Sequence, residues 1–480
     1  MLFNSIDFAI FMPIVFLIYW ALSRNLKAQN LFLLAASYFF YSWWDWRYLS
    51  LILLCTATNY IAGVLLMKTE AQTQRKIILA AACIISLGVL GLFKYYDFFI
   101  NTFVDAFSLF GVKLQPHTLR LILPVGISFY TFHTLSYTID VYRRHFAPTK
   151  DIVSFSLFVS IFPLAMAGPI ERATNLLPQI YAKRRFDYSQ TVDGLRQILW
   201  GLFKKVVIAD NCAVYVNEVF ENCHNVSAGY LWLGALFFTF QIYCDFSGYS
   251  DMAIGIGKLL GFKFLNNFNC PYFSRDIAEF WRRWHISLTT WFRDYVYIPL
   301  GGSRVSKAKI IRNTFIIFLL SGFWHGANWT FIVWGAFHAV LFLPLILLGK
   351  NRRYTDTVAE GKIFPNPREV FQMIVTFLLV LIGWVFFRAE SISHAIAYLG
   401  GMFDSSITRI SIRLVYDNFT LVSLIVFMQL IEWIGRKNDH GLEKLGLKWH
   451  RAFRWAFYYA LLVLIFFLAK SGQAFIYFQF

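Results

Sequence analysis

Charge is what this chain has least of. Only 15% of its 480 residues are charged, whereas soluble domains carry about 25%. Acidic residues number 27 against 44 basic ones. So few charged side chains cannot solvate the surface of a water-soluble protein of this length. Cysteine is scarce too: Cys55, Cys83, Cys212, Cys223, Cys244 and Cys270 show no C-x-x-C spacing, which argues against a disulfide framework or a zinc site. No nucleophile elbow, phosphate-binding glycine loop, H-E-x-x-H or dinucleotide fingerprint is present, so the common hydrolase, nucleotide-binding and metalloprotease signatures are missing. The N-terminus lacks a basic region and a small-residue cleavage site, and residues 7–22 are expected to remain as a helix. With no internal repeat and no low-complexity linker, residues 1–480 are expected to form a single membrane-embedded domain.

In place of charge the chain has apolar and aromatic residues, at 58% and 20%. They come in blocks. Residues 77–93 and 370–387 run without a charge, each near the length that crosses a hydrocarbon core of roughly 30 Å as a helix. The fold class expected is an all-α polytopic membrane protein. Apolar segments fall near 7–23, 29–43, 48–67, 76–98, 119–141, 226–243, 329–349, 369–388, 418–435 and 453–469. About eleven crossings are expected, plus re-entrant or interfacial helices. Two prolines in residues 163–172 predict broken helix there, which membranes tolerate only where it is buried in protein or lines a polar cavity. Basic residues crowd loops 350–368 and 436–454, which are expected to be cytoplasmic. The formal charge of +17 therefore reads as orientation in a membrane, not nucleic-acid binding. Residues 193–208 read as an amphipathic helix, with Lys204 and Lys205 expected at the cytoplasmic interface.

From Gln241 to Ala339 this pattern breaks. Arg275, Asp276, Glu279, Arg282, Arg283, His285, Arg293 and Asp294 fall within twenty positions, interleaved with Phe280, Trp281, Trp284, Trp291 and Phe292. A charged group at membrane depth is a functional hypothesis by default. An interfacial helix with a solvated face accounts for the spacing about as well. Interleaved aromatics, however, suit a polar helix embedded in protein, with Glu279/Arg283 and Trp281/His285 as i,i+4 neighbours. Downstream, His325 lies in Trp-His-Gly with Asn328 nearby, and His338 follows in Trp-Gly-Ala-Phe-His. Imidazole suits proton transfer near neutral pH. For His338 a packing hydrogen bond is the expected role. Spacing alone leaves the two histidines close competitors.

The motifs decide between them. Leu-Pro-Val-Gly-Ile-Ser-Phe-Tyr-Thr-Phe (123–132), Ala-Gly-Pro-Ile-Glu-Arg (167–172), Asp-Phe-Ser-Gly-Tyr-Ser-Asp-Met-Ala (245–253), Phe-Trp-Arg-Arg-Trp-His-Ile-Ser-Leu (280–288), Trp-Phe-Arg-Asp-Tyr-Val-Tyr-Ile-Pro-Leu-Gly-Gly (291–302) and Trp-His-Gly (324–326) together resemble the membrane-bound O-acyltransferase family. Within it they resemble the branch of alginate O-acetylation proteins. The resemblance implies that His325 is the essential histidine and His285 the second histidine of the site. It also implies a ring of helices enclosing a tunnel between the two faces of a bacterial inner membrane.

The resemblance further implies transfer of an acyl group, expected to be acetyl, from a cytoplasmic thioester across the membrane to a hydroxyl. An exported SGNH-type acetyltransferase would then pass it to a polysaccharide such as alginate. No bound cofactor or metal is expected; the donor is acetyl-coenzyme A or another thioester. Arg282, Arg283 and Arg293 are candidates to meet donor phosphates, with interfacial anchoring as the competing reading. Asp245, Tyr249 and Asp251 are candidates to line the tunnel, with helix-packing polar contacts equally consistent, and Asn328 is a candidate substrate-binding amide beside His325. Two other functions fit: peptidoglycan O-acetylation by the same chemistry, and a transporter or flippase without chemistry, whose broken helices would line a substrate path.

Overall fold

Apolar runs with no water to satisfy their backbone can only close their hydrogen bonds internally, which favours helix throughout. The computed structural model describes residues 1–112, 114–166, 168–408, 416–470 and 475–476, and among these it is helical with no strand. The helices are α1 (Ile6–Ala21), α2 (Leu26–Ser42), α3 (Leu49–Lys68), α4 (Gln72–Lys94), α5 (Tyr96–Ser108), α6 (Ile127–Tyr142), α7 (Ile152–Ser160), α8 (Ala173–Tyr181), α9 (Tyr188–Leu202), α10 (Asp210–Glu221) and α11 (Ala228–Leu259). Then come α12 (Ile277–Arg283), α13 (Ile286–Phe292), α14 (Lys307–His325), α15 (Trp329–Leu347), α16 (Pro367–Arg388), α17 (Ile392–Met402), α18 (Phe419–Gly435) and α19 (Arg451–Phe467).

Among the described residues four helical stretches are both long and apolar enough to cross a membrane: Trp46–Lys68, Gln72–Lys94, Trp329–Leu347 and Pro367–Arg388. Ile6–Ala21 and Phe419–Gly435 are shorter apolar helices. The expectation of about eleven crossings goes beyond what these lengths establish. One predicted span is also displaced. Residues 119–126 are not helical, and α6 starts at Ile127, because Pro124 precedes a Gly126 at φ +74°. The described residues between Ser160 and Ala173 form no helix, as the prolines predict; Ala167 lies outside the described residues.

The chain forms two compact units, residues 1–192 with 256–265 and residues 193–255 with 266–480. In the first, Phe8, Phe11, Phe40 and Phe162 meet at centroid distances of 5.4–6.4 Å. Some of its buried polar groups pair between helices. Asn59 donates to Ser86 and accepts from Thr138, and His133 Nε2 accepts the Glu171 N–H at 3.0 Å.

The second unit is built on two close helix approaches that only glycine allows. In α14 and α15, a Cβ on Gly322 would lie 2.2 Å from the Phe331 carbonyl oxygen and one on Gly335 2.3 Å from that of Phe318. Small residues let membrane helices meet backbone to backbone, where dispersion replaces the absent hydrophobic drive. Between α9 and α11, Cβ atoms on Gly201 and Gly248 would fall 2.5 and 2.7 Å from each other's carbonyl oxygens. Gly322→Ala is expected to force α14 and α15 apart. Overpacking typically destabilises by about 1–3 kcal/mol, to be read as a lower unfolding midpoint of the detergent-solubilised protein; an unchanged midpoint would contradict the close packing.

Candidate functional site

The charged stretch 275–294 is neither a span nor a solvated amphipathic helix. Its helix breaks in two. Asp276 caps α12 by accepting the Glu279 N–H at 2.7 Å, and α12 ends at Arg283, followed by Trp284 in extended backbone. His285 then takes left-handed backbone (φ +43°, ψ +53°) as the N-cap of α13. The predicted i,i+4 pairing of Trp281 with His285 is therefore lost at the break. That of Glu279 with Arg283 is formed at 2.8 Å.

His325 is the last residue of α14, and Gly326 turns the chain into α15. The break in α12–α13 and the end of α14 bring the two rings together, with centroids 6.1 Å apart. His285 is 1% and His325 2% exposed. Phe246 meets His285 edge-on at 4.7 Å, and Trp324 lies 5.6 Å from it. Trp334 and Phe387 each stand 5.2 Å from His325, also edge-on. Two imidazoles held in an aromatic wall can exchange or share a proton away from bulk water, where an electrostatic interaction is stronger.

The arginines do not join the histidines. Arg283 is buried and held by Glu279 and by the Asn269 and Asp356 carbonyls. Arg282 donates to the carbonyls of Asn351 and Tyr354, and Arg293 is exposed beside Asp294 at 2.8 Å. Arg275 pairs with Glu279, Asp356 and Glu369 and stacks on Tyr354 at 4.3 Å. Its guanidinium holds the Asp356 carboxyl below the usual carboxylate range. Together these contacts fasten loop 350–366 to α12. Asn328 caps α15, accepting the Thr330 N–H and donating to the Glu390 carbonyl.

Asp245 and Tyr249, on α11, are buried beside Lys205. Lys204 and Lys205 are 3% and 1% exposed, not at an interface. They sit in a π-helical stretch, Phe203–Ala209, that follows α9. Such stretches recur at functional sites. Lys205 lies 2.7 Å from both Asp245 and Asp210 and 5.7 Å from the Tyr249 ring centre. Lys204 lies 2.6 Å from Asp251 and 4.0 Å from Glu432. The other Asp245 oxygen accepts the Ile476 N–H at 2.7 Å, and Phe475 packs on Tyr249 at 4.4 Å. Lys204, Asp251 and Glu432, with Ser250, Asn267 and His440, line a polar cavity of about 30 Å³. Hydrophobic periodicity marks none of these groups; the signals are the motif at 245–253, which holds Ser250 and Asp251, and two adjacent lysines inside an apolar run with Asp210 five residues on.

His338 makes no packing hydrogen bond with the described residues: neither ring nitrogen has a partner among them. It is boxed by rings instead, with Trp281 and Trp334 at 5.0 Å.

Fold and site together define a helical membrane protein with a buried two-histidine centre. The chain belongs to the membrane-bound O-acyltransferase family, whose model matches residues 40–387. It is 43% identical over 416 residues to a probable alginate O-acetylase AlgI of Pseudomonas aeruginosa, covering 86% of this chain and 76% of that one. To the protein of the same description from Pseudomonas putida it is 37% identical over the full length of both. A peptidoglycan O-acetyltransferase of Helicobacter pylori is 36% identical over 84% of this chain and 80% of its own.

Proposed function

We propose that this protein O-acetylates an exported polysaccharide, with His325 and His285 as the reacting pair. The observation that carries the reading is the pair itself: two buried imidazoles 6.1 Å apart inside the stretch matched by an acyltransferase family model. The acceptor hydroxyl gives its proton to His325 as its oxygen bonds to the thioester carbonyl carbon. His285 steadies the charge gathering on the carbonyl oxygen. The tetrahedral adduct collapses, the C–S bond breaks, and the proton passes from His325 to the departing thiolate. Atoms and charge balance without a covalent acyl-enzyme.

In this reading the donor is a cytoplasmic acetyl thioester such as acetyl-coenzyme A, and the protein sits in a bacterial inner membrane. An exported SGNH-type transferase completes delivery to the polymer. The alginate-acetylating relatives favour an alginate-like acceptor, and the Helicobacter pylori relative favours peptidoglycan as the second candidate. Reconstituted protein given radiolabelled acetyl-coenzyme A and a hydroxyl acceptor is expected to release free thiol in step with acetyl ester. Movement of label across the membrane without thiol release would instead mean transport without chemistry.

A further inference from the structure

His285 is held in backbone that L residues rarely occupy, and such strain persists only where neighbours over-determine it. The neighbour here is Asn267, itself 1% exposed. Its carbonyl accepts the Ile286 N–H at 2.9 Å. Its Oδ1 accepts the Ser287 hydroxyl at 2.9 Å, and its Nδ2 donates to Ser250 Oγ at 3.1 Å. Two residues on, the Asn269 N–H donates to the Arg283 carbonyl at 3.0 Å. Hydrogen bonds thus hold both sides of the Trp284–His285 break. An unbroken helix from α12 into α13 would take the Ile286 N–H back to its own turn and carry the His285 ring elsewhere. Ser250 sits one turn beyond Phe246 on α11, and Phe246 is the ring that His285 meets edge-on. One side chain therefore ties the break to the helix face that receives the imidazole.

We propose that Asn267 is a positioning residue for acyl transfer, holding His285 in its left-handed conformation through Ser287 and Ser250 so that its ring faces His325. The inference rests on the two-histidine reading of the centre. Asn267→Ala in the reconstituted protein is expected to lower kcat about 10- to 100-fold, the range a small misplacement of a reacting group produces, with KM for acetyl-coenzyme A unchanged. Ser287→Ala is expected to lower kcat less, and the two losses should not multiply, because both remove one interaction. Ser287→Thr, which restores the hydroxyl, should recover activity. Wild-type kcat in Asn267→Ala, or losses that multiply in the double variant, would overturn the proposal. Should Asn267→Ala not fold, Ser287→Ala and Ser250→Ala leave the Asn267 backbone contact intact; normal kcat in both overturns it equally. Histidine variants separate the two levels. If His285→Ala and His325→Ala retain activity, the two-histidine reading fails; if they lose it while Asn267→Ala does not, only the positioning role fails.

Discussion

Replacing His325 with alanine is expected to lower acetyl transfer by about 10²–10⁴-fold, the range that general-base catalysis supplies. The variant should still fold. His325 is the last residue of α14, so the helix needs no new cap, and the ring's loss leaves a cavity walled by Trp334 and Phe387 without stranding a buried charge. The discriminating measurement is acetyl ester formed per folded protein, with expression and the unfolding midpoint checked alongside. Ester at the wild-type level would remove His325 from the chemistry. His285→Ala should also lose activity. Thioester hydrolysed at the wild-type rate of consumption while ester fails to form would place His285 on the acceptor side and overturn its role at the carbonyl.

The second large effect concerns stability. Lys205 lies 2.7 Å from both Asp210 and Asp245 and is 1% exposed by side chain. Lys205→Met keeps the bulk but leaves two buried carboxylates without their cation, and breaking a buried pair this way typically costs about 3–5 kcal/mol. The midpoint of thermal unfolding should fall markedly, and partial recovery is expected when Asp245→Asn is added, since one stranded charge is then removed. Equal midpoints for wild type and Lys205→Met would mean that the triad contributes no net stability. A fall in activity larger than the fall in folded fraction would tie the triad to the site as well, through Asp245, Tyr249 and the Phe475–Ile476 segment they hold.

How far the sequence could be read depends on whether a property was local. The helical membrane class followed from charge-free runs such as residues 77–93, because backbone satisfaction in an apolar medium depends on the run alone. The Glu279–Arg283 pair was legible for the same reason: four residues of helix bring those side chains together wherever the helix sits. Lys204 and Lys205 are buried rather than interfacial because burial of a lysine depends on distant carboxylates, here Asp251 for Lys204 and Asp245 for Lys205, which hydropathy cannot register. His338 was expected to find a hydrogen-bond partner because buried polar groups usually do; no local rule anticipates a box that takes Trp281 from α12, Phe318 from α14 and Trp384 from α16.

The sequence by itself determined that this is a membrane-embedded helical protein, and its ordered motifs singled out His325 and His285. Only the tertiary structure decided how the two meet: α12 breaks at His285, α14 stops at His325, and glycine contacts bring α15 with Trp334 against the second ring. Motif order carries identity along the chain. Facing geometry is a property of the packed helices, set by close approaches and hydrogen bonds between residues that are distant in sequence.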